Sequence, residues 1–137
     1  MTTQQYLSQA LQLDRRIRAK RVEIEHLREL ARSVSVSPGE YTGGNGPGDP
    51  VGRGAAKIAD LEAELQADIE RYTKLHREIS AVIVRVPDSR YVELLTRRYI
   101  RGQTWELIAD EMYYSRKRIW ELHKLALDEV SRLLNSG

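Results

Sequence analysis

Apolar side chains return along the first third of the chain at alternating spacings of four and three. They are Tyr6, Ala10, Leu13, Ile17, then Ile24, Leu27, Ala31 and Val34, with Lys20 in the one charged position of the row. That is the a/d rhythm of helices that pack along a seam. It predicts a helix over residues 6–34. The same rhythm resumes at Ile58, Leu61 and Leu65, passes through Asp68, and continues with Tyr72, Leu75, Ile79, Val82 and Val86. Pro87 sets its expected end, because the residue before a proline is driven out of the α region.

Between the two rows lies SVSVSPGEYTGGNGPGDPVGRG, which holds seven of the nine glycines and three of the four prolines. Such a stretch has little to bury and does not propagate a helix, so residues 35–53 are expected to be a mobile loop. A second possibility is an ordered partner-binding loop around Tyr41. Two amphipathic helices joined by such a loop fold back most simply as an antiparallel hairpin. A register with Lys20 opposite Asp68 would pair the only charge in each seam. The alternative is that both side chains reach past the seam into water.

Beyond Pro87 the periods shorten. Asp88 or Ser89 can cap a helix running to Arg101, with Gly102 as its stop. Thr104 can cap a helix from Trp105 to Met112, and Ser115 one from Arg116 to about Leu134. Ala109 is small enough for a close helix crossing, while Ile108, Met112, Ile119 and Leu122 fall at inward spacings. Tyr113 occupies a turn position that commonly requires positive φ, where a side chain costs about 1 kcal/mol. The expected architecture is all-α. A long coiled-coil-like antiparallel hairpin (residues 1–87) is followed by a three-helix, helix-turn-helix domain (residues 88–137).

Composition changes this picture little. A net charge of +2 is only a weak pointer to a polyanion partner, and residues 88–137 carry nine basic against eight acidic side chains. Any nucleic-acid binding must therefore come from local clustering. That cluster is the start of the last helix. Ser115, Arg116, Lys117, Trp120, Glu121 and Lys124 share its outward face and are the candidate DNA-binding residues. Arg116 and Lys117 can reach guanine edges or phosphates, and Glu121 can accept from cytosine or serve as a plain surface acid. Trp120 suits either core packing or an exposed contact. Arg97, Arg98, Arg101, Thr104 and Arg118 are candidate phosphate contacts, with a solvated face as the alternative. Arg15, Arg16, Arg18 and Arg21 read as flanks of the first seam.

The absence of cysteine removes disulfides and thiolate metal sites. His26, His76 and His123 share no metal-ligand spacing, and GGNGPG lacks the lysine and the preceding strand of a phosphate-binding loop. No metal or cofactor is expected. No nucleophile–base pair can be named, so an enzyme is not expected. No apolar run approaches the ~20 residues of a membrane span. The N-terminus lacks the order of a signal peptide, and cytoplasmic residence in a bacterial host is the expectation.

The stretch Arg98-Tyr99-Ile100-Arg101-Gly102, then Thr104 to Ala109, then Ser115, then Ala126-Leu127 resembles the sigma-70 region 4 fold. RRYIRGQTWELIADEMYYS with LHKLAL is similar, more narrowly, to phage and prophage regulators of the ArpU and RinA type and to a related uncharacterised phage family. The resemblance is specific over residues 91–130 and looser over 1–87. It implies a DNA-binding regulator of phage late genes, with double-stranded DNA as partner and RNA polymerase as a candidate second partner. A dimer through the hairpin would multiply the affinity of one small recognition helix. Two other readings fit the same pattern: a small-terminase-like DNA-packaging subunit, and a helical interaction protein that binds no DNA.

Overall fold

The computed structural model describes residues 1–35 and 50–136. Among these there are five α-helices and no strand: α1 Thr3–Ser35, α2 Pro50–Ile83, α3 Ser89–Leu95, α4 Trp105–Met112 and α5 Arg116–Asn135. A π-helical turn, Thr96–Ile100, extends α3. No helix among the described residues is long and apolar enough to cross a membrane.

The chain separates into two compact units: Met1–Asp14 with Tyr72–Gly137, and Arg15–Arg71. The first unit thus combines the start of α1, the end of α2 and everything after it. The boundary expected at residues 87–88 lies inside it.

In the second unit α1 and α2 run antiparallel, as their cross-helix pairs require. Lys20 meets Asp68 at 2.5 Å, Arg28 pairs with Glu62, and Lys57 approaches Glu23 at 3.9 Å. Ile17 and Ile24 are buried there, while Leu27, Ala31, Ile58, Leu61 and Leu65 are half-buried. The seam rhythm is therefore real along this stretch, and the two seam charges do meet. They remain partly wet, with side-chain exposures of 26% for Lys20 and 14% for Asp68.

The first unit is denser. One cluster joins Leu7 and Ala10 of α1, Ile79, Ile83 and Val86, Leu95 and Tyr99, and Ala126 and Val130 of α5. A second joins Leu94, Ile108, Ala109, Ile119 and Leu122. Leu7 and Ile83 stand outside the four-three rhythm. They are fully buried because the first unit adds α5 and the π-turn as further neighbours, which need a wider apolar face.

Helix ends depart from expectation in four places, the smallest being α1, which runs Thr3–Ser35 where 6–34 is expected. The α2 helix begins at Pro50, not after residue 53, because proline is well suited to the first helical position, where no backbone N–H is needed. Ser35 closes α1, and the remaining residues 36–49 of the expected loop, Tyr41 among them, lie outside the described residues. The α2 helix stops at Ile83, and three-residue-spaced bonds (Arg85 N–H to Val82 O, Val86 N–H to Ile83 O, both 3.1 Å) tighten the chain ahead of Pro87. The expected α-helix to Arg101 turns π at Thr96, where the Arg101 N–H reaches back to the Thr96 carbonyl at 3.0 Å.

Three caps follow the sequence. The Asp88 carboxylate accepts from the Arg90 N–H, the Thr104 hydroxyl from Leu107, and the Ser115 hydroxyl from Arg118. A reciprocal cap also starts α1: the Gln5 N–H donates to the Thr2 hydroxyl at 3.1 Å, and the Thr2 N–H donates to the Gln5 amide oxygen at 2.8 Å. Gly102 is favoured chiefly by its backbone conformation, and closeness to a side chain adds to this. Its φ is +68°, and a Cβ there would lie 3.3 Å from a Leu11 methyl.

Candidate functional site

The outward face of α5 owes its existence to what lies beneath it. Ile119, Leu122, Ala126 and Val130 are buried on the opposite stripe, joined by His123. With 3.6 residues per turn, burial at 119, 122 and 126 leaves 117, 120, 121 and 124 facing away, while Arg116, three residues before Ile119, is exposed because it stands in the first turn, ahead of the packed stretch. Ser115, Arg116, Lys117, Trp120, Glu121 and Lys124 are all exposed.

The turn that delivers α5 is closed by two bonds. The Tyr114 N–H reaches the Ala109 carbonyl at 3.0 Å and the Tyr113 N–H reaches that of Asp110 at 3.3 Å. This pattern requires a left-handed residue at its centre. Tyr113 fills it with φ 61° and ψ 38°, and is 93% exposed. The positive φ expected at this position is thus present, carried by a tyrosine in place of glycine.

Charge on this face is partly committed. Arg116 pairs with Glu106 of α4 at 3.2 Å, and Arg118 with Glu121 at 3.3 Å. The Lys124 ammonium sits 5.1 Å from the Trp120 ring centre. Lys117 is exposed and makes no ion pair among the described residues. Trp120, for which both core and contact were open, is 56% exposed.

The candidate phosphate contacts divide. Arg97 is held by Glu93 and Glu111, with Gln103 also in reach, so it is tied into the fold. Arg98 donates to the Gln103 carbonyl at 2.9 Å and lies over the Trp105 ring at 4.6 Å. Both therefore have structural partners. Arg101, Thr104 and Arg118 are exposed.

Sequence reasoning left two features unassigned. One is a buried polar pair behind α5. The Tyr99 hydroxyl and His123 Nε2 are 2.7 Å apart, and His123 is 2% exposed. Burial, aided by the Arg98 charge, lowers the His123 pKa to about 4, while burial raises that of Tyr99 to about 12. Both are neutral near pH 7, so the phenol can donate to the imidazole. Trp105 packs edge-on to the same imidazole, with ring centres 4.6 Å apart.

The other is a cavity of about 410 Å³ lined by Trp105, Arg116, Lys117, Ile119 and Trp120. It opens on the candidate face. Residues fifteen apart in sequence meet here through the turn between α4 and α5, a proximity no local spacing announces. Among the described residues no group of His, Asp or Glu side chains is placed to hold a metal ion.

Compared with known proteins, the chain matches no family model, no curated protein and no solved structure.

Proposed function

We propose that this chain is a phage-type DNA-binding transcriptional regulator. In this reading α4 and α5 act as a sigma-70 region 4-like helix-turn-helix, with α5 entering the major groove. Its antiparallel α1–α2 hairpin pairs subunits or contacts RNA polymerase. The observation that supports it best is the exposure of all six residues Ser115, Arg116, Lys117, Trp120, Glu121 and Lys124 at the start and along the outer side of α5. The start of α5 adds the backbone N–H groups that the Ser115 hydroxyl, which takes that of Arg118, leaves free, and an anion is favoured there. The phage and transcription assignments rest on the resemblance over residues 91–130.

A mobility shift on duplex promoter fragments from the encoding genome tests it. The double variant Arg116→Ala, Lys117→Ala is expected to lose tenfold or more in affinity and most of its sequence discrimination, at about 1–3 kcal/mol per good base contact. Its salt dependence should flatten by roughly 0.9 in log–log slope for each phosphate that is no longer neutralised. Unchanged binding by this variant retires the reading.

One observation favours a second reading, in which the face grips a protein instead of DNA. Arg116 and Arg118 already have carboxylate partners in Glu106 and Glu121. Duplex binding with no salt dependence, or none at all, selects that alternative.

A further inference from the structure

The groove between α4 and α5 carries chemistry that edge-reading of a duplex does not use. Trp120 leaves more than half of its surface in water, and Trp105 lines the same groove, with Arg98 over its ring and His123 packed against it. In a B-form duplex the bases present only edges to the major groove, while their faces are stacked against each other. An indole has a single N–H donor and no acceptor, so it reads such edges poorly. What an exposed indole does accept is the face of a ring. The groove adds cations to that surface: Lys117 and Arg116, the latter in an exposed pair with Glu106, in its lining, and the Lys124 ammonium over one face of the Trp120 ring. Aromatic platforms beside basic side chains are the combination that holds unstacked bases together with their phosphates.

We infer that the Trp105–Trp120 groove is a binding site for an unpaired nucleotide of single-stranded DNA, its base stacked on Trp120 and its phosphate held by Arg116 and Lys117. The inference rests on the nucleic-acid reading of this face and deepens it. A strand that is already unpaired meets no unstacking cost, so it is the natural ligand for this groove. Trp120 supplies sequence-tolerant affinity, and the two cations supply the salt dependence.

The protein contains only these two tryptophans, so its intrinsic fluorescence reports on the groove directly. The full chain is titrated with oligo-dT, with a dT·dA duplex of equal length, and with poly-glutamate as a polyanion without rings. Oligo-dT is expected to quench the emission and to bind more tightly than the duplex. Because Trp120 is on the surface, Trp120→Leu and Trp120→Phe should both keep the wild-type helical circular dichroism. Trp120→Leu should weaken oligo-dT about tenfold, with Trp105 still reporting, and Trp120→Phe should restore most of the loss. Duplex binding without quenching by oligo-dT overturns the inference and leaves the regulator reading standing. Equal quenching by poly-glutamate, or a Trp120→Leu variant that binds oligo-dT like wild type, also overturns it. Failure of both oligo-dT and the dT·dA duplex to bind overturns this inference alone, because the regulator reading stands or falls on promoter fragments that carry its own site.

Discussion

The two compact units use the same pair of helices in different ways. Along residues 15–71, α1 and α2 meet through a thin apolar seam and a series of charge pairs, and only Ile17 and Ile24 are buried among the described residues. In the other unit the ends of these helices share a core with α3, the π-turn and α5, in which Leu7, Ile79 and Leu95 are completely buried, and a second cluster between α3, α4 and α5 completely buries Leu94, Ile108 and Leu122. A two-helix contact encloses few side chains on all sides, so most of its positions stay half-wet and charges can supply its specificity. Further helices close the remaining directions and turn the same heptad positions into core. The candidate site is carried by the enclosed unit, where a rigid base can present α5 in one orientation.

The sharpest way to test this contrast is to remove one leucine from each unit. Leu95→Ala, at a completely buried position, should cost about 2–5 kcal/mol. Leu65→Ala, half-buried in the seam, should cost about 1 kcal/mol, since little apolar area leaves water there in the first place. Urea denaturation of both variants measures the difference. Similar losses would mean that the seam is as tightly packed as the core.

A pH titration separates the units next. Folding holds the His123 pKa at about 4, below its ordinary value of 6.5. The unfolded chain therefore binds this proton more readily, and the associated stability is complete above pH 6.5. It is lost as pH falls from 6.5 towards 4, by about 3 kcal/mol in all at 1.36 kcal/mol per pK unit. Carboxylates titrate near the bottom of the same window, so the diagnostic quantity is the difference from His123→Gln. That variant keeps an acceptor for the Tyr99 hydroxyl and should show a flatter profile between pH 6.5 and 5. Identical profiles would show that His123 takes up its proton as easily folded as unfolded.

In the polar unit the corresponding experiment is the Lys20–Asp68 pair. Either single alanine variant strands a half-buried charge, and a double-mutant cycle should give a coupling of about 1 kcal/mol, above the usual exposed pair because both groups are partly withdrawn from water. Replacing both with leucine should leave stability unchanged or raise it, at the expense of a single register. A coupling near zero would reduce this pair to the status of Arg28–Glu62, whose partners are each about half exposed.

How far the sequence discloses this molecule follows the same division. The seam rhythm, the Lys20–Asp68 meeting and the caps at Asp88, Thr104 and Ser115 are local or periodic signals, and each is where the residues suggest. The exposed stripe of α5 follows from the same periodicity. The start of α2 at Pro50 was obscured because glycines and prolines read as breakers, although proline belongs comfortably at a first turn. The π-turn at Thr96–Ile100 leaves no compositional trace. Burial of Leu7 and Ile83, the Tyr99–His123 pair and the Trp105–Trp120 groove all depend on which helices become neighbours, and that lies beyond any one helix's period. Arg97 and Arg98 illustrate the limit from the other side: their type suggested a phosphate, while Glu93, Glu111, Gln103 and Trp105 supply partners from within the fold.

The smallest expected effect concerns the turn that sets α5 against α4. Tyr113 holds a left-handed backbone with its side chain 93% exposed, so it gives the fold strain and almost no burial. Tyr113→Gly removes a strain of about 1 kcal/mol. It also frees the unfolded chain, which takes back about 0.4–1 kcal/mol. The two contributions oppose each other, and the net change should lie within about 0.5 kcal/mol of zero. The closing bonds from Tyr113 and Tyr114 to Asp110 and Ala109 use only backbone atoms and survive the change. A destabilisation well above about 1 kcal/mol in thermal denaturation, more than the entropy of the freed chain explains, would mean that the tyrosine ring packs on the turn in solution, and that the turn depends on its side chain as well as on its backbone.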